Sequence, residues 1–140
     1  MKVFIYYEEQ NKDIANMLKD YLTEDVELFE VKKGEEVIKL QELSGKLLEK
    51  TEKEVRGIYL DDYSYKGALI ANKIHKMIAA PLYDEHSAKM TIGHNSTKMV
   101  SVGTKIIGIE LIKSIIDNYL THNYDAGRHQ IRIDMLNKLC

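Results

Sequence analysis

The amino-acid sequence predicts an α/β fold in which helices cover both faces of a parallel sheet. Two observations carry this. Five short runs rich in β-branched and aromatic residues recur along the 140 residues. Longer stretches with apolar residues at helical spacing separate them, as in successive strand–helix–strand units. Crossovers of that kind are right-handed, which leaves few topologies.

Lys2 to Tyr7 (KVFIYY) is the first predicted strand. Asp13 to Leu22 follows as a helix, with Ile14, Met17, Leu18 and Leu22 on one stripe. Val26 to Val31 is the second strand. Glu35 to Lys50 is a helix that roughly aligns Val37, Leu40, Leu43, Leu47 and Leu48. Gly57 to Leu60 begins the third strand, and Lys66 to His75 is helical. Met77 to Tyr83 is a fourth strand, interrupted by Pro81, the only proline. Asp84 to Gly93 is a short helix and Met99 to Val102 the fifth strand. Ile109 to Leu120 and Arg128 to Leu139 are the closing helices. No repeat or linker divides the sequence, so residues 1–140 are expected to form one domain.

The totals narrow the functional classes. A formal net charge of −2 gives no general reason to expect binding to nucleic acid or to an acidic membrane. Cys140, the only cysteine, has no partner for an internal disulfide, which suits a reducing compartment. The first residues carry too short an apolar run for a signal peptide. No apolar run approaches the ~20 residues that span a bilayer. The expectation is a soluble, cytoplasmic protein.

In parallel sheets, ligands gather beyond the carboxyl ends of the strands, near the switch in strand order. Four loops therefore matter: Tyr6–Asn11, Asp61–Gly67, Tyr83–His86 and Gly103–Gly108. Asp61 and Asp62 end the third strand, where paired carboxylates can share a proton and act as a base. Alternatively, an acid or Ser64 caps the helix that starts near Lys66. His94 and Asn95 fall between a helix and a strand, and a histidine there can transfer protons near neutral pH or be only a solvated side chain.

Arg128 and Arg132 lie about 40° apart at ~100° per residue, on the side that carries Met135 and Leu139. That is taken as the inward side of the helix, where the arginines need a partner, because burying an unpaired charge is costly. A ligand phosphate would serve, as would Asp125, Asp134 or another subunit. The histidines show no metal-ligand spacing, so no metal is expected. There is no P-loop, dinucleotide fingerprint or nucleophile elbow.

Four stretches, GIYLDDYSYKGALIANKI, YDEHSAKMTIGHN, MVSVGTKIIG and YDAGRHQIRIDMLNKLC, cover roughly residues 57 to 140. Together they resemble the family that joins type B ribose-5-phosphate isomerases with galactose-6-phosphate isomerase, the last stretch being nearest its A-type chains. The first half matches in pattern only. The resemblance implies a three-layer α/β/α sandwich with a five-stranded, Rossmann-like sheet. It also implies cofactor-free interconversion of an aldose phosphate and a ketose phosphate through an enediolate. For galactose 6-phosphate the product is tagatose 6-phosphate.

The family builds its active site between two subunits. One brings the base, a glycine-rich phosphate loop and the arginines of the last helix. The other brings a ring-opening histidine and its asparagine. By this resemblance His94 and Asn95 match the catalytic pair, and Arg128 and Arg132 the phosphate-binding arginines. Lys105 stands where many members have an arginine, keeping the charge without the bidentate fork. The base half departs from the pattern. The family's Asp-His after the first strand is Glu8-Glu9 here, and its catalytic Cys-Gly-Thr falls on Asp61-Asp62-Tyr63. Asp61 and Tyr63 thus mark a degenerate base position, and Ser64 and Lys66 replace loop glycines. The implied partner is a B-type isomerase subunit that carries the base, in a dimer or tetramer.

Overall fold

The computed structural model describes residues 1–140. Five strands, β1 (Lys2–Glu8), β2 (Asp25–Val31), β3 (Val55–Asp61), β4 (Ala79–Leu82) and β5 (Met99–Gly103), form one all-parallel sheet in the order β2-β1-β3-β5-β4. Strand order reverses between β1 and β3, so their carboxyl ends form the switch-point cleft. Six helices connect or follow the strands: α1 (Lys12–Tyr21), α2 (Glu36–Leu48), α3 (Lys66–Ala71), α4 (Glu85–Asn95), α5 (Ile109–Thr121) and α6 (His129–Leu136).

The central strands β1, β3 and β5 are buried on both sides, and alternate residues supply two separate cores. Val3, Ile5 and Tyr7 of β1, Ile58 and Leu60 of β3, and Val100 and Val102 of β5 face one way. There they meet Leu18 of α1, Ile92 of α4, and Ile112 and Ile116 of α5. Phe4, Tyr6, Tyr59 and Met99 face the other way, against Leu40, Leu43 and Leu47 of α2 and Ala68 and Ala71 of α3. This is the expected three-layer sandwich. No helix is long and apolar enough to cross a membrane.

Several element boundaries differ from the sequence expectation. The third strand starts two residues earlier, at Val55, and includes Arg56, whose side chain is fully buried. Arg56 donates to the carbonyls of Glu52 and Tyr119 and, at 3.2 Å, to Asn123 Oδ1. The guanidinium thereby satisfies a carbonyl in the last turn of α5, where a cation also suits the helix dipole. Helix α3 stops at Ala71 rather than His75. The amide of Asn72 turns outward onto the edge strand: its Nδ2 donates to Ala79 O and its Oδ1 accepts from Ala79 N, both at 2.8 Å.

Helix α4 is capped by Asp84, which accepts from the Ser87 N–H at 2.7 Å. It runs on through His94 and Asn95, two residues beyond the predicted end, and closes at Ser96 in the left-handed region (φ 50°). The catalytic-pair candidates therefore stand in the last turn of a helix, not in a loop.

Candidate active site

Two polar clusters occupy opposite edges of the sheet. The first fills the switch-point cleft at the carboxyl ends of β1, β3 and β5. Glu8, buried at the end of β1, accepts from Lys66 Nζ at 2.7 Å and from the Tyr59 hydroxyl at 3.0 Å. That carboxylate raises the Lys66 pKa, while burial, followed by the charge of Glu8, raises that of Tyr59. Gln10 bridges Glu8 (3.3 Å) and Asp62 (3.0 Å), and Lys105 lies 3.3 Å from Asp62. Hydrogen bonding from Gln10, reinforced by Lys105, holds the Asp62 carboxyl below its ordinary value. A cleft of about 370 Å³ opens beside them, lined largely by charged side chains, among them Glu8, Glu9, Lys33, Glu36 and Lys66.

Asp61 lines a second, smaller cavity of about 120 Å³ with Asp62, Tyr63, Tyr65 and Lys66, and is only 1% exposed. Its Oδ1 accepts the Ser64 N–H at 2.7 Å and its Oδ2 the Gly67 N–H at 3.3 Å. Ser64 holds a left-handed backbone (φ 71°), which turns these N–H groups inward. Its hydroxyl donates to Leu82 O (2.9 Å) and accepts the Gly103 N–H (2.7 Å), tying the loop to β4 and β5. Gly103 is required by this closeness, since a Cβ there would stand 2.5 Å from Ser64 N. Burial raises the Asp61 pKa, and its backbone hydrogen bonds oppose the shift. Of the two sequence readings for this acid, the geometry matches the capping one. Each carboxylate oxygen accepts one N–H from its own loop. Tyr63 projects instead, 47% exposed and stacked on Tyr65 at 6.4 Å between ring centroids.

The second cluster lies at the amino edge, where α4 ends before β5 begins. It joins His94, Asn95, His129 and Arg132. Arg132 Nη2 donates to Asn95 Oδ1 at 2.7 Å and to the His94 carbonyl at 2.9 Å. The imidazoles of His94 and His129 stack at 4.3 Å with an interplanar angle of 15°. The connector before α6 is fastened to α4 by the Asp125 N–H, which donates to Gly93 O at 2.8 Å. Ala126 and Gly127 then both adopt positive φ (54° and 61°), turning the chain into α6. Arg128 sits at the N-terminus of that helix.

The α6 arrangement corrects two expectations. Its stripe of Arg128, Arg132, Met135 and Leu139 faces out, with Met135 64% and Leu139 60% exposed; Ile133, on another face, anchors the helix. Helical spacing shows which residues share a face, but not whether anything covers it. The partner of Arg132 within the chain is also neither Asp125 nor Asp134 but the Asn95 amide and the His94 carbonyl, which groups it with that pair. Lys105 is the one phosphate-binding candidate at the carboxyl edge.

The two clusters do not meet within one chain. A parallel strand rises ~3.3 Å per residue, so the five residues of β5 hold them roughly 15 Å apart. Proton transfer needs heavy atoms about 3 Å apart, or one bridging water. No group of three or more His, Cys, Asp or Glu side chains is placed to hold a metal ion. Lys66, Gln10 and His129 were not singled out as site residues from the sequence. Gln10 and Lys66 follow strand ends in the loops that were, and His129 lies between the two arginines.

The architecture defines the chain as a Rossmann-like α/β sandwich of the kind seen in type B ribose 5-phosphate isomerases. A mutant of the Trypanosoma cruzi enzyme superposes with a TM-score of 0.83 at 22% identity, covering 98% of this chain and 94% of that one. The Clostridium thermocellum enzyme gives 0.84 at 20% identity, covering 99% and 96%. The chain belongs to the Ribose/Galactose Isomerase family, whose model matches residues 3–136. Among its relatives is the galactose-6-phosphate isomerase subunit LacA of Staphylococcus epidermidis, 36% identical over the full length of both chains. The Lactococcus lactis subunit of the same name is 39% identical over 91% of each chain.

Proposed function

We propose that this chain is the A-type subunit of a heteromeric, cytoplasmic aldose–ketose isomerase that interconverts D-galactose 6-phosphate and D-tagatose 6-phosphate. The observation that carries the reading is the split between the two edges. His94 and Asn95 stand at the opposite end of β5 from the chain's own cleft, and Asp61 at the base position accepts from Ser64 and Gly67. A site that unites proton-transfer groups with a base is then assembled from two chains. The names of the full-length relatives supply the reaction and the word subunit.

In this reading a B-type subunit brings the base and the phosphate loop. His94 exchanges protons with the ring and anomeric oxygens as the sugar opens, and Asn95, oriented by Arg132, hydrogen-bonds the substrate. Arg128, and the N–H groups of Arg132 not committed to Asn95, balance phosphate charge. The base then removes the proton from the carbon next to the carbonyl, a proton passes between the two oxygens of the enediolate, and the base returns its proton to the former carbonyl carbon. No cofactor takes part.

The test is galactose 6-phosphate isomerisation by the purified chain alone and mixed with a B-type subunit. Turnover only in the mixture supports the reading. Positioned acid–base catalysis is typically worth ~100- to 10,000-fold, so His94→Ala in the mixture should lower kcat by that order with substrate binding largely kept. Turnover by the chain alone would mean that a local group such as Asp61 is a working base. Silence in both arms would leave a non-catalytic sugar-phosphate-binding partner.

A further inference from the structure

The ring of His94 stacks on the ring of His129. No hydrogen bond within the chain reaches either ring nitrogen of His94; the contacts from Arg132 go to its carbonyl and to Asn95. The backbone of His94 is therefore fixed by a guanidinium and its side chain by a stacked ring. Both fixtures come from α6. An imidazole fastened through its plane keeps both nitrogens free, which suits a group that must give and take protons.

We infer that His129 is a positioning residue: its imidazole is the wall that sets the plane of the His94 ring for proton transfer. The inference rests on the role proposed for His94. It also explains why the connector is held so closely. Asp125 is hydrogen-bonded to Gly93, and two successive left-handed residues aim the first turn of α6 at the last turn of α4. Partial burial, and then the nearby positive charges of His94, Arg128 and Arg132, depress the His129 pKa, with Asp125 opposing. Two stacked imidazolium rings would repel, and the lowered His129 pKa works against that arrangement.

The requirement is for a flat ring, not for a nitrogen. His129→Phe should therefore keep what His129→Ala loses. In the isolated chain, the ring-proton resonances of His94 should carry an upfield ring-current shift that persists in His129→Phe and collapses downfield in His129→Ala. In the mixture with a B-type subunit, misplacing a reacting group by about 1 Å can lose on the order of 100-fold. His129→Ala should lower kcat by about 10- to 100-fold with KM changed less than about threefold, and His129→Phe should recover most of it. Unchanged His94 resonances and turnover in His129→Ala would overturn the inference. So would a His129→Phe variant as impaired as His129→Ala, because the nitrogen would then be what matters. If the wild-type mixture is inactive, the proposed function fails, while the resonances of the isolated chain still decide whether the stack holds His94.

Discussion

The carboxylate of Asp61 accepts the backbone N–H of Ser64 at 2.7 Å, so the turn after β3 is folded around an anion that belongs to the chain itself. Asn at this position has one acceptor oxygen for two N–H groups, and its amide would confront the other. Asp61→Asn should destabilise the chain by about 1–3 kcal/mol. Because burial raises the Asp61 pKa, the folded chain holds this proton to higher pH than the unfolded chain does. Stability then falls as pH rises from the ordinary aspartate value through the raised one. The variant lacks that segment, so the gap between wild type and variant should narrow with rising pH. Urea unfolding at a series of pH values measures it. A gap that widens instead would show that the two N–H bonds outweigh desolvation.

Gly103 passes the Ser64 turn with no room for a side chain. The atoms in the way are backbone, which cannot rotate aside. Gly103→Ala should cost about 3 kcal/mol, at the upper end for an overpacked interior. Thermal unfolding would register this as a markedly lower Tm, and a Tm close to wild type would mean the turn can shift at little expense.

Arg56 is buried with carbonyl and amide oxygens as its partners. Arg56→Met fills similar volume but strands those acceptors. A loss of roughly 3 kcal/mol is expected, since hydrogen bonds to charged groups contribute about 1.5–3 kcal/mol each and the long apolar replacement recovers part. Denaturant titration gives the value. Because Asn123 leads into the connector to α6, hydrogen exchange in residues 121–129 should quicken in the same variant.

Met135 is exposed on the outer stripe of α6, so Met135→Lys should change the chain's own stability by no more than about 0.5 kcal/mol. If that stripe seats against a B-type subunit, the same substitution should weaken the association at least about tenfold, as truncations at buried interface positions commonly do. Sedimentation of the mixture with each form would separate the two effects.

The sheet was readable from sequence because its signal is local. Successive residues of β1 such as Ile5 and Tyr6 go to opposite cores, and the Val-, Ile- and Tyr-rich runs that form such strands stand out between amphipathic helices. The site was less readable because its contacts join distant segments. Nothing near His94 signals a stacking partner 35 positions on, and the reach of Arg132 to Asn95 depends on how the connector turns. Arg56 was missed because a charged residue opening a strand reads as the end of a loop. Asp61 was recognisable as a capping acid, although its two N–H donors became apparent only with the turn closed around it.

The amide of Asn72 has a consequence for how this protein meets others. Alternate residues of a strand turn their N–H and C=O groups to the same side, and on β4 the outward pair is Ala79 and Pro81. Asn72 already occupies both groups of Ala79, and proline has no N–H to offer. That border of the sheet therefore presents no free donor to an incoming strand. A neighbouring molecule cannot lengthen the sheet there, and on that side it must dock through side chains and helix ends. Such contacts can be specific and reversible, and they do not propagate from one molecule to the next as strand addition does.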